Sequence, residues 1–252
     1  GIAPGASLYD VKVLDGQGQG QISDAIAGID WVIFHSKAYN IRVLNVSLAA
    51  GSSESWLTDP LCRAVRAAAA AGITVVAAAG NFGKDDAGNT IYGSVGAPGN
   101  DPTVITVGAA NPRGTVDRGD DSVTGFSSRG PTRGGNLAAN GVRQPDNLLK
   151  PDLVAPGNRI VGAAAQTWSG FESLATNHPA LVEEFGGTAQ LKDQAIKLLS
   201  GTSVAAPAVS GAVAGLVAIT PAAGLAGTIG AIFLGAAARL VRLWGGMMLK
   251  PM

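Results

Sequence analysis

Ile73-Thr74-Val75-Val76-Ala77-Ala78-Ala79 carries no charged residue and runs into Gly80-Asn81, a common turn pair. An apolar run of that length reads as a strand buried on both faces, as in parallel sheets. Working backwards, Gly72 ends a helix whose stripe is Leu61, Ala64, Val65 and Ala68. Pro60 takes its first position, and Thr58 or Asp59 caps it. Before that helix, Ile41–Leu48 is mostly apolar and β-branched and reads as a second strand. Earlier still, Ile22, Ala25, Ile26, Ile29 and Ile33 share one helical face, and Leu8–Leu14 reads as a strand entering the glycine-rich loop Asp15–Gly20. Strands and helices alternating at this spacing call for right-handed crossovers. The expected fold is a three-layer α/β/α domain around a mostly parallel central sheet.

The bulk composition agrees with a folded domain and narrows its partners. The 252 residues are 46% hydrophobic with 36 glycines, enough for one sizeable core with many turns. Eighteen basic and eighteen acidic residues cancel, so no global field draws the chain to nucleic acid. The single cysteine, Cys62, excludes an internal disulfide and a cysteine-based metal site.

The chemistry is concentrated in Ser200-Gly201-Thr202-Ser203-Val204-Ala205-Ala206-Pro207. From Val204 to Ile219 there is no charge, so a helix there is apolar all round and belongs inside a domain. Serine at its start meets the unpaired N–H groups of a first turn, which can stabilise a developing oxyanion. A helix cap is the competing role for a Ser or Thr at this place. Pro207 weighs towards chemistry, because it lacks the amide that would bond back to the Ser203 carbonyl.

Gly201–Gly211 resembles the nucleophile signature of the subtilisin-like serine proteases, the subtilases. Other segments match that family in its order: Gly1–Ala6 with Val11–Leu14, Leu44–Leu48, Val75–Asn81, Val104–Ala109, Phe126–Pro131 and Lys150–Gly157. The resemblance implies a subtilisin-like fold and a serine endopeptidase acting on polypeptides through an acyl-enzyme. It implies Ser203 as nucleophile, with Asn81 and the Ser203 N–H as the oxyanion hole. It makes Ser47, Leu48, Ala49, Ala50 and Gly51 one wall of the substrate pocket and Ala77, Ala78, Ala79 and Gly80 the other, with Thr202 beside the nucleophile. Two departures stand out: Ala49-Ala50 occupy positions where the family usually has two glycines, which narrows the groove, and Ala208 stands where histidine is usual.

A serine hydroxyl needs a base. Only His35 and His178 are present, and neither lies in the family's His-Gly-Thr-His type of segment. His35 falls at a helix end and His178 at the start of a surface helix, so neither is expected to serve. In subtilases the aspartate and histidine precede the segment with which this chain opens. Gly1 is therefore expected to be an internal cut, and the chain alone to be inactive or nearly so.

Remaining features fill out the expectations. Residues 1–219 form the catalytic domain, with an insertion over 163–198 that carries Trp168, Phe171, Phe185 and an amphipathic pattern at Leu191, Ala195, Ile196 and Leu199. Residues 220–252 are an apolar tail; Ala222–Ala238 sits at the short limit for a membrane span, and a buried helix starting at Thr220-Pro221 is the favoured alternative. Asp85-Asp86 and Asp120-Asp121 are candidate sites for a structural calcium ion, though solvated loop acids are the more common case. No cofactor is required, and no metal ligand is assigned. Asn45-Val46-Ser47 fits a glycosylation sequon on a strand expected to be buried. The resemblance also places the parent protein outside the cytoplasm, secreted or extracytoplasmic. The rival function is a non-catalytic, subtilase-like module that binds peptides in the groove, held at a membrane by its tail.

Overall fold

The computed structural model describes residues 2–15, 19–163 and 196–216. In chain order its elements are α1 (Ile22–His35), β1 (Val43–Val46), α2 (Pro60–Ala70), β2 (Thr74–Ala78), β3 (Ile105–Asn111), β4 (Ser122–Val123), β5 (Gly135–Leu137), β6 (Arg143–Pro145), β7 (Leu153–Pro156), β8 (Ile160–Ala163), β9 (Ile196–Leu199) and α3 (202–216). Each helix between strands starts and stops for a local reason. In α2 the Asp59 carboxylate accepts from the amides of Leu61 (2.9 Å) and Cys62 (3.0 Å), Pro60 opens the first turn, and Gly72 (φ +85°) turns the chain back.

The central sheet is parallel where the sequence is apolar on both faces. β1 pairs with β2 (Val43↔Thr74 to Val46↔Ala77), β2 with β3 (Val76↔Ile105 to Ala78↔Val107) and β3 with β7 (Val107↔Leu153 to Ala110↔Pro156), all parallel. β4 is a short antiparallel addition to β3, on the edge opposite β7. Alternation along β2 divides the core: Val75 and Ala77 pack with α1 and α2, while Val76 and Ala78 pack with Ala205 and Ala206 of α3. The helices thus cover both faces, and the three-layer α/β/α fold is the one observed.

Three expectations change. Leu8–Leu14 is not a strand: no ladder pairs it among the described residues, Leu8 is 92% exposed and the Tyr9 ring stacks on Tyr39 at 5.2 Å. β-branched composition makes a strand only where a partner is present to pair with it. Ile196 and Leu199, read as part of an amphipathic pattern within an insertion, lie on β9, which pairs antiparallel with β8 (Ile160↔Leu199 to Ala163↔Ile196). Ladder pairing overrides the helical spacing there, and the insertion begins and ends on this hairpin. Asn45 is exposed rather than buried, because β1 gives up its burial at that position. Residues 164–195, with His178, Trp168, Phe171, Phe185, Leu191 and Ala195, and residues 217–252, with the apolar tail, lie outside the described residues. Among the described residues no helix is long and apolar enough to cross a membrane.

Candidate active site

Two chain reversals meet at the carboxyl end of the parallel sheet. One is Gly80-Asn81, which leaves β2. The other is Ser200-Gly201, which leaves β9 and enters α3. Gly201 is held from behind, its amide donating to the Gly157 carbonyl at 2.8 Å, and the Arg159 amide donates to Ser200 Oγ at 2.8 Å.

Gly201 also begins the helix, since its carbonyl accepts from Val204 (3.1 Å) and Ala205 (3.3 Å). The capping role is thereby filled, and Ser203 sits inside the first turn. Its Oγ takes no hydrogen bond from any described residue.

Thr202 joins the two reversals. Fully buried, it receives the Gly80 amide at its Oγ1 (3.1 Å). Its own amide and hydroxyl lie 2.9 and 3.1 Å from Asn81 Oδ1. Because Oδ1 is the acceptor for that amide, the orientation of the Asn81 side chain is fixed, and Nδ2 faces the other way, towards Gly201. A Cβ built on Gly201 would lie 3.0 Å from Ser203 Oγ, 3.3 Å from Asn81 Nδ2 and 3.7 Å from the Ser203 amide. A hydroxyl, a side-chain amide and a first-turn amide therefore border one small space, kept open by the missing side chain.

The two expected walls also come together. Ala50 and Ala97 exchange backbone hydrogen bonds of 2.8 Å each, and the Gly96 amide donates to the Ala79 carbonyl at 3.1 Å, so 96–97 straps the Ser47–Gly51 segment to Ala77–Gly80. Ala78 and Ala79 are buried, which leaves main chain as what that wall offers. Gly80 needs its positive φ (+104°), and a Cβ there would strike the Phe82 ring and Ser128 Oγ, both at 2.9 Å. A Cβ on Gly96 would lie 3.4 Å from the Ala49 methyl and 2.7 Å from the Ala50 carbonyl. The Ala49 methyl thus lies beside the strap between the walls, and Leu48 is half-buried against the α1–α2 side of the core.

Two roles went unread in the sequence. The Ser47 hydroxyl donates to the Ser203 carbonyl at 2.8 Å, and Asn45, two residues earlier on β1, reaches both Ser47 and Ser210 of α3. The i, i+2 spacing of Asn45 and Ser47 was the available signal, as it puts both on one face of β1's exit.

His35 is remote from this arrangement. It ends α1, in the helix layer on the opposite face of the sheet from α3, with its ring between Trp31 (4.1 Å) and Tyr39 (5.3 Å). Nδ1 donates to the Trp31 carbonyl at 2.8 Å. Cys62 is also excluded as a nucleophile. Its thiol is fully buried, donates to Asn100 Oδ1 at 3.0 Å, and is pushed up in pKa chiefly by burial and further by the charges of Asp59 and Asp101.

Asp85 and Asp120 are engaged within their own loops. Asp85 accepts from the amide (2.7 Å) and side chain (3.0 Å) of Asn89, bonds that hold its carboxyl below the usual range, and Asp120 accepts from Thr115 Oγ1 at 2.9 Å. No group of three or more His, Cys, Asp or Glu among the described residues is placed to hold a metal ion.

The subtilase family model, for peptidase family S8, matches residues 1–230. The chain belongs to the subtilase family. Serine protease AprX of Bacillus subtilis (strain 168) is 39% identical over 166 residues, which is 64% of this chain and 34% of that protein. Subtilisin E of the same strain is 43% identical over 111 residues, 44% of this chain and 26% of the relative. The solved structure of the S41 psychrophilic protease superposes with a TM-score of 0.60 at 28% identity, covering 88% of this chain and 58% of that one. This subtilase chain therefore spans about a third or less of the curated relatives it matches, and just over half of the solved domain.

Proposed function

We propose that the chain carries the nucleophile half of a serine endopeptidase site. Ser203 attacks a peptide carbonyl, and Asn81 Nδ2 with the Ser203 amide receives the oxyanion. The observation that supports this best is the Thr202–Asn81 lock, which spends Oδ1 on Thr202 and leaves Nδ2 turned towards the space beside Gly201. The substrate is a polypeptide in extended form, laid between Ser47–Gly51 and Ala77–Gly80 and bonded through main chain. Ala49 favours a small side chain before the cleaved bond. The parent protein acts outside the cytoplasm.

Attack joins Ser203 Oγ to the carbonyl carbon, and collapse of the tetrahedral intermediate expels the amine; water then hydrolyses the ester. The proton from Oγ needs an acceptor, and no described histidine faces Ser203; without a supplied base, turnover is slow or absent. That same observation favours a second reading, a peptide-binding module that holds its ligand without cleaving it.

Labelling with diisopropyl fluorophosphate, with imidazole supplied as a soluble base, separates the two. Incorporation at Ser203 that rises with imidazole and disappears in Ser203→Ala is the expected result. A folded chain that stays unlabelled at saturating imidazole sinks the nucleophile assignment and leaves the binding module.

A further inference from the structure

An α-helix normally ties each carbonyl to the amide four residues on. At Ser203 that amide belongs to Pro207 and does not exist. The carbonyl is satisfied from outside the helix, by Ser47 Oγ at 2.8 Å. Ser47 Oγ in turn accepts from Asn45 Nδ2 at 2.9 Å, and Asn45 Oδ1 accepts from Ser210 Oγ at 2.9 Å, with the Ala206 carbonyl also 3.1 Å from that hydroxyl. The donors all run one way, from Ser210 through Asn45 and Ser47 to Ser203, which lets each bond polarise the next. The chain leaves α3 at buried Ser210, crosses to the end of β1, and returns to α3 two turns earlier.

We propose that Ser47, Asn45 and Ser210 are positioning residues that hold the Ser203 main chain, in place of the helical bond that Pro207 cannot make. The proposal rests on Ser203 being the nucleophile. Ser47 also begins one substrate wall, so a single hydroxyl fixes the spacing between wall and nucleophile. A carbonyl bonded within the helix would move only with α3; bonded to Ser47, it is referenced to the sheet.

The test follows the rate at which diisopropyl fluorophosphate labels Ser203 with imidazole as base, next to the urea midpoint of unfolding. In that reaction the Oγ–P bond forms, the P–F bond breaks, fluoride leaves and imidazole takes the proton. Ser47→Ala is expected to slow labelling about tenfold while the chain stays folded. Asn45→Ala and Ser210→Ala slow it less, and neither adds to Ser47→Ala, because the chain is already cut. The diagnostic variant is Ser47→Ala with Pro207→Ala, whose new amide can reach the Ser203 carbonyl and returns the rate to within about threefold of the parent. A loss caused only by looser packing would be neither non-additive nor rescued. Should the double variant fail to fold, non-additivity decides: Ser47→Ala with Ser210→Ala must label no more slowly than Ser47→Ala alone. Parent-like labelling of Ser47→Ala, additive losses, or a folded double variant without recovery overturns the proposal. An unlabelled parent chain overturns the nucleophile assignment and this inference together.

Discussion

Two regions of the molecule are built to different standards. Around Thr202, hydrogen bonds link residues more than a hundred positions apart, and Val76, Ala79, Ala205 and Ala206 are completely buried. Along Ile2–Leu14 no ladder forms among the described residues, and Leu8 and Tyr9 are exposed although their residue types suit a strand. A cleft of about 700 Å³ opens between Val11–Asp15 and the first turns of α1, and neither Ser203 nor Asn81 lines it. Order here follows pairing rather than hydrophobicity. Side chains of similar character are fixed where a second element meets them and stay in water where none does.

The sharpest way to break the contrast is Gly201→Ala. Its methyl group would enter the space bordered by Ser203 Oγ and Asn81 Nδ2, and Ser203 labelling is expected to fall about a hundredfold with the fold retained. Parent-like labelling would show that this space is not where the reaction happens. Val76→Ala follows, because Val76 is fully buried beneath α3; urea unfolding should show a loss of about 2 kcal/mol, from lost burial and a residual cavity. In the N-terminal segment, Leu8→Ala should leave stability within about 0.5 kcal/mol, since a side chain 92% exposed has little burial to lose. A large loss from Leu8→Ala would mean that the N-terminal segment is held far more firmly than its contacts imply.

Much of the sheet was legible because short-range signals agreed. Pro60, the apolar stripe and Gly72 bound α2, and the uncharged run Ile73–Ala79 marks β2, with the cap resolved to Asp59. Leu8–Leu14 misled because propensity is local and pairing is not. The β5–β6 hairpin is signalled only by Asn140-Gly141 at its turn, a recognised hairpin pair between strands too short to show a period.

The site was less readable from residues alone. Ser203 could be singled out as a serine entering an apolar helix, but bringing it to Asn81 needs a fold that joins positions 122 apart, and the family resemblance supplied that link. The donor missing at Pro207 is legible in the sequence; which group replaces it depends on how far β1 stands from α3, and no sequence period encodes that distance.

The β8–β9 hairpin has a consequence for precision. Ser203 lies four residues beyond Leu199, whose partner on β8 is Ile160, and the tie from Gly201 to Gly157 continues that alignment. Moving β9 by one residue along β8 would carry the nucleophile about 3.3 Å along the strand axis, more than the length of the bond from Asn81 to Thr202. Strand register therefore works as a ruler with coarse divisions. Whatever chain length joins β8 to β9, the serine arrives at its mark or misses it by a whole step.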